Sequence, residues 1–101
     1  MTRVTAKNRI NKILRECTSG LFSDEYWQPI HKSFRAIIEA GFDIIITNTQ
    51  YQEDYRGIPI SKVWKFEIAF GNKPIYGVMT AHGAGTVEDP LNRYDISAYV
   101  S

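Results

Sequence analysis

Apolar residues recur at helical spacing in the first part of the chain and at strand spacing after Asp43. Ala6, Ile10, Ile13, Leu14 and Cys17 share one face, with Asn8, Arg9, Lys12, Arg15 and Glu16 opposite. That pattern predicts an amphipathic helix over Thr5–Cys17. Thr5 is the expected N-cap, its hydroxyl accepting from a free first-turn amide, and Ser19-Gly20 the stop. A second stripe, Trp27, Ile30, Phe34, Ile37 and Ile38, predicts another helix ending at Gly41. Gln28, His31, Lys32, Arg35 and Glu39 fill its other side, with His31 expected at the boundary of the stripe. Ser23 is the expected cap, and Asp24 and Glu25 suit the positive end of the helix dipole. Pro29, lacking an amide, belongs in the first turn or marks a restart after a short Asp24–Gln28 turn.

Ile44-Ile45-Ile46-Thr47 is β-branched throughout and predicts a strand, which the polar run Gln52–Gly57 breaks. Then Ile60, Lys62, Trp64, Phe66, Ile68 and Phe70 alternate with Ser61, Val63, Lys65, Glu67 and Ala69. Gly71-Asn72-Lys73 is a hairpin connection to a strand over Pro74–His82, and the last strand runs from Tyr94 to Val100. The order α-α-β-β-β-β predicts an α+β fold: two N-terminal helices on one face of a four-stranded antiparallel meander. The uncovered face would carry Val63, Lys65, Glu67 and Tyr99.

A length of 101 residues, with no linker or repeat, predicts a single domain over residues 1–101. Cys17 is the only cysteine, which excludes an internal disulfide and suits a reducing compartment. No stretch reaches the ~20 apolar residues of a membrane span and the N-terminus has no apolar signal core, so a cytoplasmic location is expected.

The connection His82–Arg93 is long for a hairpin link, and long ordered loops tend to carry function. Gly83 and Gly85 permit close backbone approach; Glu88 and Asp89 are adjacent acids, with Arg93 near enough in sequence to pair with one. The plainer alternative is an edge-crossing loop with a local ion pair. A phosphate cradle at Gly83–Thr86 lacks a following lysine, and the two acids would repel an anion. His31 and His82 do not have metal-ligand spacing, so neither metal nor cofactor is expected. Cys17 lies on an apolar face, and there is no nucleophile elbow, so catalysis has no support.

Charge and aromatics are more informative. Five of the first twenty residues are basic (Arg3, Lys7, Arg9, Lys12, Arg15) against Glu16, on a chain of net charge +1. A basic helix can dock on nucleic acid, with Arg9, Lys12 and Arg15 as contacts and Tyr51, Tyr55, Tyr76 or Tyr99 for stacking. A solvated helix face looks the same and is the preferred reading, because the whole chain is nearly neutral. Tyr51, Tyr55 and Tyr99 lie outside the core stripes and suit a protein interface. The segment Tyr51, Glu53, Asp54, Tyr55 and Arg56, with Glu88, Asp89 and Arg93, is the candidate contact set. An exposed edge or face of an open meander also allows a homodimer.

The stretch from Ile58 through Trp64-Lys65-Phe66 to Gly83–Pro90 and Arg93-Tyr94-Asp95 resembles small uncharacterised proteins of bacterial phages and prophages. The resemblance covers the C-terminal half and brings no catalytic or binding residue with it. It implies an accessory or counter-defence factor of the anti-CRISPR kind, binding a host protein or nucleoprotein complex in the host cytoplasm. The expected function is therefore protein binding without catalysis, with nucleic-acid binding through the first helix as the alternative.

Overall fold

Helix α1 (Arg3–Thr18) opens the chain in a computed structural model that describes residues 1–101. Thr2 caps it instead of Thr5: the Thr2 hydroxyl accepts from the Thr5 amide at 3.2 Å. Arg3–Thr5 precede the first buried position, Ala6, so the apolar stripe carries no sign of them. Ala6, Ile10, Leu14 and Thr18 are buried in steps of four, and the Thr18 hydroxyl donates to the Leu14 carbonyl at 2.7 Å.

After Gly20 (φ +110°) comes a two-residue strand, β1 (Leu21–Phe22), which the α-α-β-β-β-β order lacks. Two residues cannot display an alternation. This strand exists because it pairs with Asp95 and Tyr94 of a segment over seventy residues away. Helix α2 (Gln28–Glu39) comes next, with Pro29 in its first turn, so the chain takes the restart after a short turn. Asp24, rather than Ser23, supplies the acceptor for that turn, receiving the Tyr26 and Gln28 amides at 3.1 and 2.9 Å. Pro29, Ile30, Ser33 and Ile37 form the buried face. Ile38 sits about 100° further round than Ile37 and is exposed, contrary to the stripe read from sequence, and His31, expected at the boundary and partly covered, is exposed as well. Buried Ser33 donates to the Pro29 carbonyl at 2.8 Å and leaves no polar atom unpaired.

The remaining strands are β2 (Ile44–Glu53), β3 (Pro59–Ile68), β4 (Ile75–Gly83) and β5 (Tyr94–Val100). With β1 they form a five-stranded antiparallel sheet in the order β1-β5-β4-β3-β2, one strand more than expected. Trp64, Phe66 and Ile68 of β3, Ile75, Met79 and Ala81 of β4, and Tyr94 and Val100 of β5 meet the buried faces of both helices in one core. On the other face, Lys65 and Tyr99 are exposed and Val63 and Glu67 half-buried.

Two local features decide how side chains are distributed over this sheet. Gly77 stands directly opposite Phe66, whose ring covers the place a Cβ would take. In β2 the register slips between Ile46 and Asn48, a bulge at Thr47. Ile46 pairs with Phe66 before it, and Thr49 and Tyr51 pair with Trp64 and Lys62 after it. The bulge therefore reverses the parity of the strand and turns Tyr51 to the helix side.

Candidate protein-binding site

The β2–β3 turn is built on one carboxylate. Asp54 accepts from the Arg56 and Ile58 amides at 2.8 and 3.1 Å, and from Arg56 Nε and Nη2 at 3.1 and 2.8 Å. The Arg56 side chain holds the Asp54 carboxyl below the usual carboxylate range; partial desolvation opposes this and the two amides add to it. Gly57, at φ +80°, closes the turn in a conformation that other residues rarely adopt. Asp54 is thus spent on the turn, while Glu53 and Tyr55 are exposed, Tyr55 by 97%.

Arg56 also donates from Nη2 to the Val87 carbonyl at 2.9 Å, which ties this turn to the long β4–β5 loop. The two segments singled out in the sequence therefore meet. Within the loop, the Ala84 amide donates to Arg93 O and the Gly85 amide to Pro90 O, both at 2.8 Å. The Asp89 amide donates to the Thr86 hydroxyl at 3.0 Å, and a 3-10 turn over Pro90–Asn92 brings the chain back to β5. These amides are engaged internally and cannot cradle a phosphate. The expected ion pair between Arg93 and Glu88 or Asp89 does not form; Arg56–Asp54 is the one salt bridge in the molecule. Backbone hydrogen bonds close the loop instead, which leaves both acids and Arg93 exposed.

Gly83 and Gly85 serve close approach, since neither has a positive φ. A Cβ on Gly83 would lie 2.7 Å from Ile60 O, and one on Gly85 2.7 Å from Asp89 O. Gly85→Ala is expected to destabilise by about 1–3 kcal/mol and loosen the loop, seen as faster amide exchange at Ala84 and Asp89.

The third wall comes from residues that sequence reasoning assigns to helix or core. Asp24 accepts the Tyr94 hydroxyl at 2.6 Å in addition to its two amides. Desolvation raises the Asp24 pKa, but the Gln28 amide, the Tyr94 hydroxyl and the Tyr26 amide together outweigh it and lower the net value. Burial, then the bond to Asp24 and its charge, push the Tyr94 phenol well above its ordinary value. This knot fixes Trp27 at φ 58°, ψ 41°, a left-handed conformation that costs a non-glycine residue about 1–2 kcal/mol. Trp27 packs at 5.1 Å on Trp64 and 4.8 Å on Tyr94. The legible signals are Asp24 four residues before Gln28-Pro29, and Lys62 interrupting an apolar stripe.

Between these walls opens a cleft of about 690 Å³. Tyr26, Trp27 and Tyr51 line it, with Asp24 and Glu25 on one side and Glu88 and Asp89 on the other; no basic residue lines it. Of the contact set, Tyr51, Glu88 and Asp89 line the cleft and Asp54 and Arg56 support its rim, whereas Glu53, Tyr55 and Arg93 do not line it. Arg9, Lys12 and Arg15 are exposed on α1. Arg3 is committed elsewhere: its guanidinium donates to the Lys73 and Pro74 carbonyls beside Phe70.

Other chemistry is sparse. His82 Nε2 lies 3.0 Å from Ser97 Oγ on the open sheet face, and no carboxylate bonds its other ring nitrogen. No group of three or more His, Cys, Asp or Glu is arranged to hold a metal ion, and no helix is long and apolar enough to cross a membrane. No protein-family model, curated protein or solved structure matches this chain.

Proposed function

We propose that this chain is a small protein-binding module without catalytic chemistry, an inhibitor-type accessory factor that docks on a host protein or nucleoprotein complex. The observation that carries the reading is the aromatic and acidic cleft, whose rim joins the β2–β3 turn to the β4–β5 loop through Arg56 and Val87. Tryptophan and tyrosine, here Trp27, Tyr26 and Tyr51, are residue types on which binding energy concentrates.

Affinity capture from a bacterial lysate tests it, with the wild-type chain beside a Glu88→Lys/Asp89→Lys variant. Both positions are exposed, so the variant is expected to melt within about 0.5 kcal/mol of wild type. A stoichiometric partner should be recovered by wild type and at least roughly tenfold less by the variant, a loss of about 1.4 kcal/mol. Equal recovery by both, or no partner at all, would remove the cleft from the reading.

Nucleic-acid binding rests on a separate observation: Arg9, Lys12 and Arg15 are exposed and none is ion-paired. If that surface is used, an Arg9→Ala/Lys12→Ala/Arg15→Ala variant should abolish any mobility shift of nucleic acid and flatten its salt dependence.

A further inference from the structure

Lys62 lies on the helix-side face of β3, opposite Tyr51 and two residues from Trp64. Its ammonium sits 4.8 Å from the Tyr51 ring centroid, 5.2 Å from Trp64 and 5.3 Å from Trp27. No carboxylate pairs with it. Three electron-rich faces converging on one ammonium make a cation cage, the arrangement by which proteins hold lysine-type and quaternary ammonium groups. Trp27 and Tyr51 also line the acidic cleft, so two of the three cage walls border it, with Trp64 buried behind them. Holding a bulky tryptophan in a left-handed conformation is a cost that persists where the surroundings over-determine it, as at ligand clamps.

Granting that this cleft is the protein-binding surface, we propose that its occupant is a lysine-bearing basic segment of the partner. The incoming ammonium displaces that of Lys62 from the Trp27–Tyr51–Trp64 cage, and flanking cations lie along Glu25, Glu88 and Asp89. Charge complementarity selects this occupant, because four acidic residues and no basic one line the cleft. Lys62 is then an internal competitor. It occupies the cage in the free protein and weakens binding of every other cation. Two ammonium groups cannot share one cage without repulsion, so removing the charge of Lys62 strengthens binding.

That sign is what the experiment reads. Both tryptophans of the chain, Trp27 and Trp64, are cage walls, so selectively excited tryptophan emission, free of the six tyrosines, reports this site alone. The probes are a hexalysine peptide, a hexaglutamate peptide and tetramethylammonium. Hexalysine is expected to change the emission saturably and hexaglutamate to leave it unchanged. Lys62→Met, which keeps the aliphatic stem, should tighten hexalysine binding about three- to tenfold. Glu88→Gln/Asp89→Asn should weaken it by a similar factor with a thermal midpoint close to wild type, whereas Lys62→Met gives up the cation–ring contacts and should melt lower even as it binds more tightly.

Weaker hexalysine binding by Lys62→Met, or unchanged emission with every probe, overturns the proposal. So does a response to tetramethylammonium without one to hexalysine, which would indicate a small-molecule cage. Lysate capture that depends on Glu88 and Asp89 while hexalysine fails keeps the protein-binding reading and rejects only the basic occupant. Hexalysine binding without lysate capture does the reverse.

Discussion

Tyr94→Ala is expected to destabilise the protein by about 3–5 kcal/mol, the usual cost of deleting a fully buried aromatic ring. Tyr94 has no exposed surface, packs on Phe22 at 5.9 Å and Trp27 at 4.8 Å, and bonds Asp24 through its hydroxyl. Its loss removes the ring packed on Phe22 of β1 and the support of the Trp27 turn together. For a chain this size the thermal midpoint should fall by on the order of 20 °C. A calorimetric drop of only a few degrees would mean that the Asp24–Tyr94–Trp27 knot is not a determinant of the fold.

Tyr94→Phe separates the hydroxyl from the ring. It should cost about 1–3 kcal/mol, since Asp24 keeps both amide donors. The pH dependence has a definite sign at each end. Asp24 has a lowered pKa in the folded protein, so its contribution is complete above the unfolded value, about 4, and fades as pH falls through the folded value. Tyr94 has a raised pKa, so its contribution is complete below the unfolded value, about 10, and fades as pH rises beyond it. Wild-type stability should therefore fall below pH ~4 and above pH ~10. In Tyr94→Phe the alkaline component from this phenol should vanish and the acid one shrink, as denaturant titrations across pH would reveal.

Gly77→Ala is the second large effect. A Cβ at this position would overlap the Phe66 ring, which is itself buried and packed edge-on against Phe34 at 5.8 Å. Neither the sheet nor α2 can yield easily, so the expected cost is about 1–3 kcal/mol, and more for Gly77→Val. The cause is checkable by a double-mutant cycle. Phe66→Leu vacates the space over Gly77, so Gly77→Ala should be markedly less harmful in that background, with a coupling of about 1–3 kcal/mol. Strict additivity would place the damage elsewhere in the strand.

Much of the candidate site is legible in the sequence for a simple reason. Exposed loops advertise themselves through polar, acidic and glycine residues, and Tyr51, Arg56, Glu88 and Asp89 stand out on those grounds. Asp54 reads as a contact and is a turn organiser, because a carboxylate two residues before an arginine and four before Ile58 satisfies its own backbone first. Arg93 reads as a partner for Glu88 or Asp89, yet proximity in sequence does not aim a side chain. Trp27 and Lys62 read only as members of stripes. A stripe assigns a face, but it does not say where the covering helix stops or what stands beyond its end.

What the sequence determined by itself is local: two amphipathic helices, four strands, a long loop and glycines that permit close approach or a tight turn. Each comes from short-range periodicity or from the backbone needs of single residues. Tertiary structure alone decided the rest. Strand β1 requires the edge of β5, and the position of Trp27 requires a hydroxyl from Tyr94, far along the chain. Tyr51 faces Lys62 only because the Thr47 bulge shifts the pairing of β2 on β3. A one-residue slip in register sends every later side chain to the opposite face, and nothing within the strand's own alternation fixes where the neighbouring strand permits that slip.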